Sequence, residues 1–321
     1  MRTTSTEQDL TLRVRQIRWE SDGVVSLELT RLDHGELPEW APGSHLDLAL
    51  PGAITRQYSL CGSPADRDAW RIAVLREPHS RGGSVAVHER LRPGDHIDVV
   101  GPRNNFVLEP AANYLFVAGG IGITPILPMI ESADRAGSRW SLLYGGRTRS
   151  TMAFLDELTR HGSLVDVQAQ DEVGLPDLDG YLGSPRPDTL IYCCGPEGLL
   201  RAVEARCAHW PAGALHVERF AAKPRPDSDP GTERDFEVEL AKSGRTIVCP
   251  AGKTILDALE SEGVDPPNSC REGICGTCET VVLDGVPDHR DSLLSDEERS
   301  ANKTMMICVG RALSRRIVLD M

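Results

Sequence analysis

Cys270, Cys275 and Cys278 crowd into the stretch NSCREGICGTCET, and Cys308 follows in MMICVG. The order C-x4-C-x2-C…C is the spacing at which four thiolates hold a 2Fe–2S cluster. Gly273 and Gly276 let the backbone wrap closely enough to donate N–H groups to sulfur. A structural zinc site would prefer paired C-x2-C halves, and only one pair here has that spacing. Burial of free thiols explains poorly why three cysteines share a polar, Gly-rich loop. The remaining cysteines, Cys61, Cys193, Cys194, Cys207 and Cys249, fall mostly in apolar strand or helix patterns and read as small buried hydrophobes.

A second chemistry-bearing stretch is NYLFVAGGIGITPILPMI, an apolar strand running through Gly119, Gly120 and Gly122 into Thr124-Pro125. Thr124 is expected as the N-cap of a helix and Pro125 as its first residue. Such a loop brings a helix N-terminus and bare backbone N–H groups to one spot, which suits a pyrophosphate. Proline stands where the third glycine of G-x-G-x-x-G would be, so the ordinary dinucleotide fingerprint is not met. Alone, the loop could also be merely a tight strand-to-helix turn.

YCCGPEGLL, with Cys194, Gly195 and Pro196, is a second strand-to-helix junction of the same sheet. Open parallel sheets bind ligands over the carboxyl ends of their strands, near the switch in strand order. One nicotinamide nucleotide is expected between the two junctions. YGGRTRS follows the next strand, where the adenosine ribose would lie. It offers no acid for a 2′-hydroxyl, whereas Arg147 and Arg149 would suit a 2′-phosphate. Exposed arginines are commonplace too, so NADH and NADPH both stay open.

TRQYSLCGSP supplies Arg56, a charged fork for a phosphate, and Tyr58 on the same face of a strand, where its ring would lie against an isoalloxazine. RGGSVAVHE adds Arg81, Gly82, Gly83 and Ser84, a second N–H-rich element. The plainer readings are barrel packing for Tyr58 and a solvated loop for Arg81. His45, His79 and His88 read as surface or structural residues.

The elements around these motifs change along the chain. Up to about residue 108, short alternating strands with turn signals predict an antiparallel barrel or sandwich. From about 113 to 220, strands alternate with helices, which predicts a parallel sheet covered on both faces. AAKPRPDSDPGTERD reads as a linker, and a compact C-terminal piece carries the cysteines. The expected boundaries are 1–110, 111–222, a linker at 223–234, and 235–321.

With 40% hydrophobic and 26% charged residues the composition is that of a globular protein. A net charge of −13 argues against nucleic acid as partner and fits docking on a basic protein surface. No run reaches membrane-spanning length, and MRTTSTEQDLTLRVRQ has no secretory core, so a cytoplasmic protein without membrane contact is expected. The odd count of nine cysteines argues against a disulfide framework.

Taken in order, RQYSL, RGGS, GPRNNF, GGIGITP, CCGP, HVERF and the cysteine spacing resemble the phthalate dioxygenase reductase family, which includes vanillate demethylase reductases. The likeness covers essentially the whole chain. It implies an antiparallel β-barrel binding FMN, a parallel α/β domain binding NAD(P)H, and a C-terminal β-grasp domain with a plant-type 2Fe–2S cluster. By this resemblance Arg56, Tyr58, Ser59 and Leu60 hold the flavin, with Val74 and Leu75 beside its ring and Gly82, Gly83 and Ser84 near its phosphate. Gly120, Gly122, Thr124 and Pro125 would cradle the nucleotide, and Cys194, Gly195 and Pro196 would sit near its reactive end. Phe220, closing HVERF, would cover the flavin. Cys270, Cys275, Cys278 and Cys308 would be the metal ligands.

The implied activity carries electrons from NADH, or NADPH, through FMN and the cluster to a terminal oxygenase of Rieske type. No general acid–base residue is called for. FAD is the minor alternative to FMN, since no aromatic-bearing insertion is visible to hold an adenine. Other readings are a reductase for a haem-thiolate monooxygenase and a non-catalytic ferredoxin-like binding module. The family implies a monomer.

Overall fold

Alternating apolar residues in the first hundred positions fold into six antiparallel strands. They are β1 (Gln8–Ser21), β2 (Val24–Arg31), β3 (Ser44–Leu50), β4 (Ile54–Ser59), β5 (Trp70–Leu75) and β6 (His96–Asn104). The computed structural model describes residues 8–52, 54–223 and 233–321. The strand order is β4-β3-β6-β1-β2-β5. Period-2 alternation turns Leu12, Val14, Leu27, Leu29, Leu46 and Leu48 into one core with Trp70 and Ile72. Just past β4 the outer strands meet: Leu60 bridges Ile72, and the Cys61 N–H donates to the Arg71 carbonyl at 2.8 Å. The sheet thereby closes into the expected barrel and loses its free edges. Helix α1 (Gly83–Glu89) packs Ala86 and Val87 into the barrel core.

The alternating region follows as β7 (Asn113–Gly119), α2 (Ile126–Ala136), β8 (Arg139–Gly146), α3 (Leu155–Thr159), β9 (Val165–Ala169) and α4 (Gln170–Val173). It continues with α5 (Leu178–Leu182), β10 (Thr189–Cys194), α6 (Glu197–Arg206) and β11 (Leu215–Glu218). The five strands are parallel, in the order β11-β10-β7-β8-β9. The chain therefore builds outward from β7 through β8 to β9, then crosses back to β10. The switch in strand order lies between β7 and β10, where ligands of such sheets bind. The run Tyr114–Ala118 is apolar at every position because both faces are covered.

Barrel and parallel sheet share one core, in which Val24, Cys61 and Ala73 join Ile126, Met129 and Phe154. Arg71 of β5 crosses to Glu157 of α3 at 3.1 and 3.2 Å, donates to the Cys61 carbonyl at 2.7 Å, and lies over the Phe154 ring. The Tyr192 hydroxyl accepts the Glu109 N–H at 2.7 Å and donates to the Val107 carbonyl at 2.9 Å, anchoring the segment between β6 and β7.

The C-terminal part contains β12 (Phe236–Leu240), β13 (Arg245–Cys249), α7 (Ile255–Ser261), β14 (Glu279–Asp284) and β15 (Pro287–Asp288). It ends with α8 (Asp296–Ala301), β16 (Thr304–Met306), β17 (Arg311–Ala312) and β18 (Arg316–Leu319). Its main sheet runs β13-β12-β18-β14-β16, with β12 and β18 parallel and the other neighbours antiparallel. Helix α7, begun by a reciprocal Thr254–Asp257 capping box, packs Ile255, Leu256 and Leu259 against Val238 and Ile317. A mixed sheet wrapped on one helix is the expected β-grasp form.

The chain divides into two compact units, Met1–Arg219 and Phe220–Met321. The change from barrel to parallel sheet falls inside the first. Phe220, expected with the nucleotide-binding part, begins the second and is 41% exposed. Residues 224–232, most of the expected linker, lie outside the described residues. Among the described residues no helix is long and apolar enough to cross a membrane.

Candidate cofactor sites

In the second unit, Cys270, Cys275, Cys278 and Cys308 are all buried. Cys270 lies within hydrogen-bond reach of Cys275 and Cys308, and Cys278 within reach of Cys308. The Cys270 sulfur also accepts the Glu272 N–H at 3.3 Å and that of Ile274. The neighbouring thiols first, and these amides after them, hold the Cys270 thiol well below its usual range. The amides reach sulfur because the loop turns through the left-handed region at Arg271, Gly273 and Gly276. At Gly273 a Cβ would stand 2.7 Å from Val309 Cγ2 and 2.9 Å from Asp291 Cα. Glycine is required there twice over, by φ of +69° and by space.

Asp291 is itself nearly buried. One carboxylate oxygen accepts the Leu293 and Leu294 N–H groups, and the Ser292 N–H donates to the Gly273 carbonyl. This turn therefore backs the cysteine loop, a role the sequence did not disclose. Among the described residues no group of three or more His, Cys, Asp or Glu side chains is arranged to hold a single metal ion. The fit of the four sulfurs to a cluster rests instead on their convergence, their burial and the amides donated to them.

In the first unit the two flavin motifs converge. Arg56 and Tyr58 lie two apart on β4, opposite Leu48 and Leu46. The start of α1 is pressed onto Arg56: a Cβ on Gly83 would stand 2.5 Å from Arg56 Cγ, and one on Gly82 would stand 2.7 Å from Ile54 Cδ1. Arg56 donates to the Arg81 carbonyl at 3.0 Å, which ties β4 to the RGGS element. Tyr58 is half-buried, and burial pushes its phenol up to about 12, so it stays neutral. This cradle of Arg56, Tyr58 and two glycines suits a flavin phosphate and ring.

Other residues expected there are engaged differently. Ser59 is buried, and Leu60 turns its side chain into the barrel core while its N–H donates to the Ser44 carbonyl. Val74 also points into that core, and its carbonyl meets His88 Nε2 at 2.9 Å, whereas Leu75 packs toward the parallel sheet. The Ser84 hydroxyl is committed to its own loop, donating to Ser80 Oγ and accepting the Glu77 N–H.

At the switch point the two glycine junctions touch. A Cβ on Gly122 would stand 2.3 Å from the Cys194 carbonyl oxygen, and one on Gly119 would stand 2.7 Å from Pro196 Cδ. Gly195 lies as close on the other side, its Cβ position 3.0 Å from Gly119 Cα. These glycines are needed because backbone packs on backbone there. Thr124 does not cap a helix as expected: residues 120–123 form a 3-10 turn, and the Thr124 hydroxyl donates back to the Ile121 carbonyl at 2.9 Å. Pro125 takes the N-cap position of α2 instead of the first helical one. The Tyr144 hydroxyl, from the end of β8, donates toward the Gly120 carbonyl at 3.2 Å and steadies the loop.

Two acids complete this end of the sheet, and neither stood out in the sequence. Glu218, opposite Cys194 in the β10–β11 register, has Oε2 sealed from solvent with no hydrogen-bond partner among the described residues. Burial pushes its carboxyl up to about 8 and the Cys194 thiol beside it higher still. Glu172, on α4, holds Arg149 Nε with both carboxylate oxygens at 2.9 and 3.0 Å. Arg147 is exposed and makes no ion pair among the described residues.

Comparison with known proteins agrees with an iron–sulfur domain at the C-terminal end. A model of the 2Fe-2S iron-sulfur cluster binding domain matches residues 238–313. The chain is 44% identical to the phenoxybenzoate dioxygenase subunit beta of Ectopseudomonas oleovorans over 324 residues, covering 100% of both. An intact type IV self-sufficient cytochrome P450 monooxygenase matches at 44% identity and a TM-score of 0.91, over 98% of this chain and 41% of that one. The structure of phthalate dioxygenase reductase, described as modular for electron transfer from pyridine nucleotides to 2Fe-2S, matches at 35% identity and a TM-score of 0.72, over 98% of each chain. With its barrel, switch-point loops and cysteine loop in the same order along the chain, this protein belongs to the phthalate dioxygenase reductase family of flavin- and pyridine-nucleotide-dependent iron–sulfur oxidoreductases.

Proposed function

We propose that this chain is the reductase component of an oxygenase system, taking electrons from NADH and handing them singly to a terminal oxygenase of Rieske type. The observation that carries this reading is the contact of Gly122 with Cys194 at the switch point, in the same unit as the Arg56–Gly83 cradle. When bound, the nucleotide supplies a hydride, the flavin accepts it, and the cluster passes single electrons outward. The chain's residues supply position. Arg56 and the Gly83 amide hold the flavin phosphate, and Tyr58 lies along the ring. Gly120 and Gly122 admit the pyrophosphate, while Cys194, Gly195 and Pro196 border the nicotinamide. Cys270, Cys275, Cys278 and Cys308 ligate iron. FMN is preferred to FAD because α1 starts directly at the Gly82–Gly83 step, with no inserted aromatic element to hold an adenine. The reductase acts as a cytoplasmic monomer.

Released flavin identified by mass spectrometry and rates with two acceptors test this. Cys275→Ser is expected to keep NADH oxidation with ferricyanide and to lose cytochrome c reduction. Retention of both activities, or colourless wild-type protein, refutes the proposed electron order. The likeness to the self-sufficient P450 favours a second reading, a haem-thiolate acceptor. Reconstitution with purified oxygenases of each type separates the two.

A further inference from the structure

In a doubly wound sheet the adenosine ribose lies at the carboxyl end of the strand next to the glycine loop. There an acid receives the 2′-hydroxyl of NADH, or an arginine accommodates the 2′-phosphate of NADPH. That strand is β8, and its end with the residues that follow, Gly145-Gly146-Arg147-Thr148-Arg149, contains two cations and no acid. The structure brings the acid from the neighbouring strand. Helix α4 follows β9, and its Glu172 sets both carboxylate oxygens on Arg149 Nε.

Backbone contacts fix this placement. The Asp171 N–H donates to the Arg147 carbonyl at 3.1 Å. Gly145 has no room for a Cβ, which would stand 2.8 Å from Pro176 Cγ in the segment after α4. Val173, which ends α4, and Leu175 just after it are exposed, at 62% and 77%, apolar surface of the kind a flat base covers.

We propose that Glu172 decides nucleotide choice, turning a pair of arginines suited to a 2′-phosphate into a site for NADH. The inference rests on the nucleotide-site reading above. Glu172 occupies Nε of Arg149 and cancels its charge locally. It also presents a carboxylate that a dianionic 2′-phosphate must approach and that a 2′-hydroxyl can satisfy by donating to it. The ion pair is about half exposed, so its own strength is small, and the discrimination comes chiefly from the sign of the charge.

The test uses full-length protein carrying its cofactors. The ratio of kcat/KM for NADPH to that for NADH is measured with ferricyanide for wild type, Glu172→Gln and Glu172→Gln/Arg149→Gln. Binding of 2′,5′-ADP against 5′-AMP is measured by calorimetry in the same proteins. Wild type is expected to favour NADH. Glu172→Gln should raise the NADPH/NADH ratio by about tenfold through the KM for NADPH, with 2′,5′-ADP binding tightened in parallel. Both gains should vanish in the double variant. A wild type that prefers NADPH, or a Glu172→Gln ratio within about twofold of wild type, overturns the proposal. Wild-type protein that oxidises neither nucleotide and binds neither fragment overturns the nucleotide-site reading itself, and this inference with it.

Discussion

Replacing Gly122 by alanine adds one methyl group at the point where the two switch-point glycine loops meet. Its Cβ would stand 2.3 Å from the Cys194 carbonyl oxygen, 2.5 Å from that carbonyl carbon and 2.7 Å from Gly195 N. Carbon atoms pack at about 3.5–4.0 Å, so one loop must retreat by about 1 Å. All three obstructing atoms are backbone, and no rotamer change can absorb the clash. Overpacking of this kind costs about 1–3 kcal/mol, which a domain stable by about 5–15 kcal/mol survives. The geometric cost is larger: a displacement of about 1 Å between reacting groups can lower a rate about a hundredfold. Gly137→Ala is the control. Gly137 ends α2 at φ +69° with open space around its Cβ position, so that change introduces backbone strain without a clash. Thermal unfolding and NADH–ferricyanide kinetics of both variants are the assays. Both should lose a few degrees in Tm, and only Gly122→Ala should lose nucleotide turnover by one to two orders of magnitude. Equal kinetics for the two variants would refute the assignment of this contact to the nucleotide site.

Two further outcomes follow from ionisable groups withdrawn from water in the first unit. Arg71→Met leaves Glu157 with only the more distant Arg160 and should lower stability by about 1–3 kcal/mol, with part of the loss recovered in Arg71→Met/Glu157→Gln. A single variant that melts with the wild type would show that this pair does not hold the barrel to α3. Glu218 has a folded pKa raised to about 8 from the ordinary 4.5. The folded state binds that proton more tightly, so this stabilisation is complete below the ordinary carboxylate pKa and lost as pH rises through about 8. Relative to Glu218→Gln, the wild-type Tm should therefore fall between about pH 5 and pH 9, and parallel curves would contradict the burial of a neutral carboxyl.

What was legible in the sequence is what the chain encodes over short spans. The C-x4-C-x2-C loop, the glycines at 119–122 and 195, and the alternation that builds barrel and parallel sheet all act within a few residues of one another. Errors arose where a local rule met a competitor. Thr124 has the composition of an N-cap, yet the 3-10 turn before it offers the Ile121 carbonyl, and its hydroxyl goes there. Ser84 stands beside Gly83 as the motif places it, while its hydroxyl is taken by Ser80 and Glu77. The acids were invisible for a different reason. Glu172 reaches Arg149 only because β9 lies beside β8, and Glu218 loses solvent only because β11 lies beside β10. Adjacency of strands is a property of topology, and no spacing within one segment announces it.

The arrangement of the first unit follows from the tolerance of its chemistry. Hydride transfer needs the two reacting rings held at near-attack distance, so the parts that carry them must not drift. The residues that close the barrel perform this second task as well. Cys61 follows the Arg56–Tyr58 strand, and its N–H donates to the Arg71 carbonyl as the barrel closes; the Arg71 side chain then returns to the Cys61 carbonyl and extends to Glu157 and Phe154 beside the parallel sheet. On the other side, Tyr192 grips the connecting segment two residues before Cys194 enters the switch-point contact. Motion of the Arg56–Tyr58 strand against the switch-point loops would thus have to break the barrel's own closure or part a half-buried ion pair. Single-electron transfer makes no bond and sets no such demand, which is consistent with a cysteine loop housed in a unit with its own sheet, helix and core.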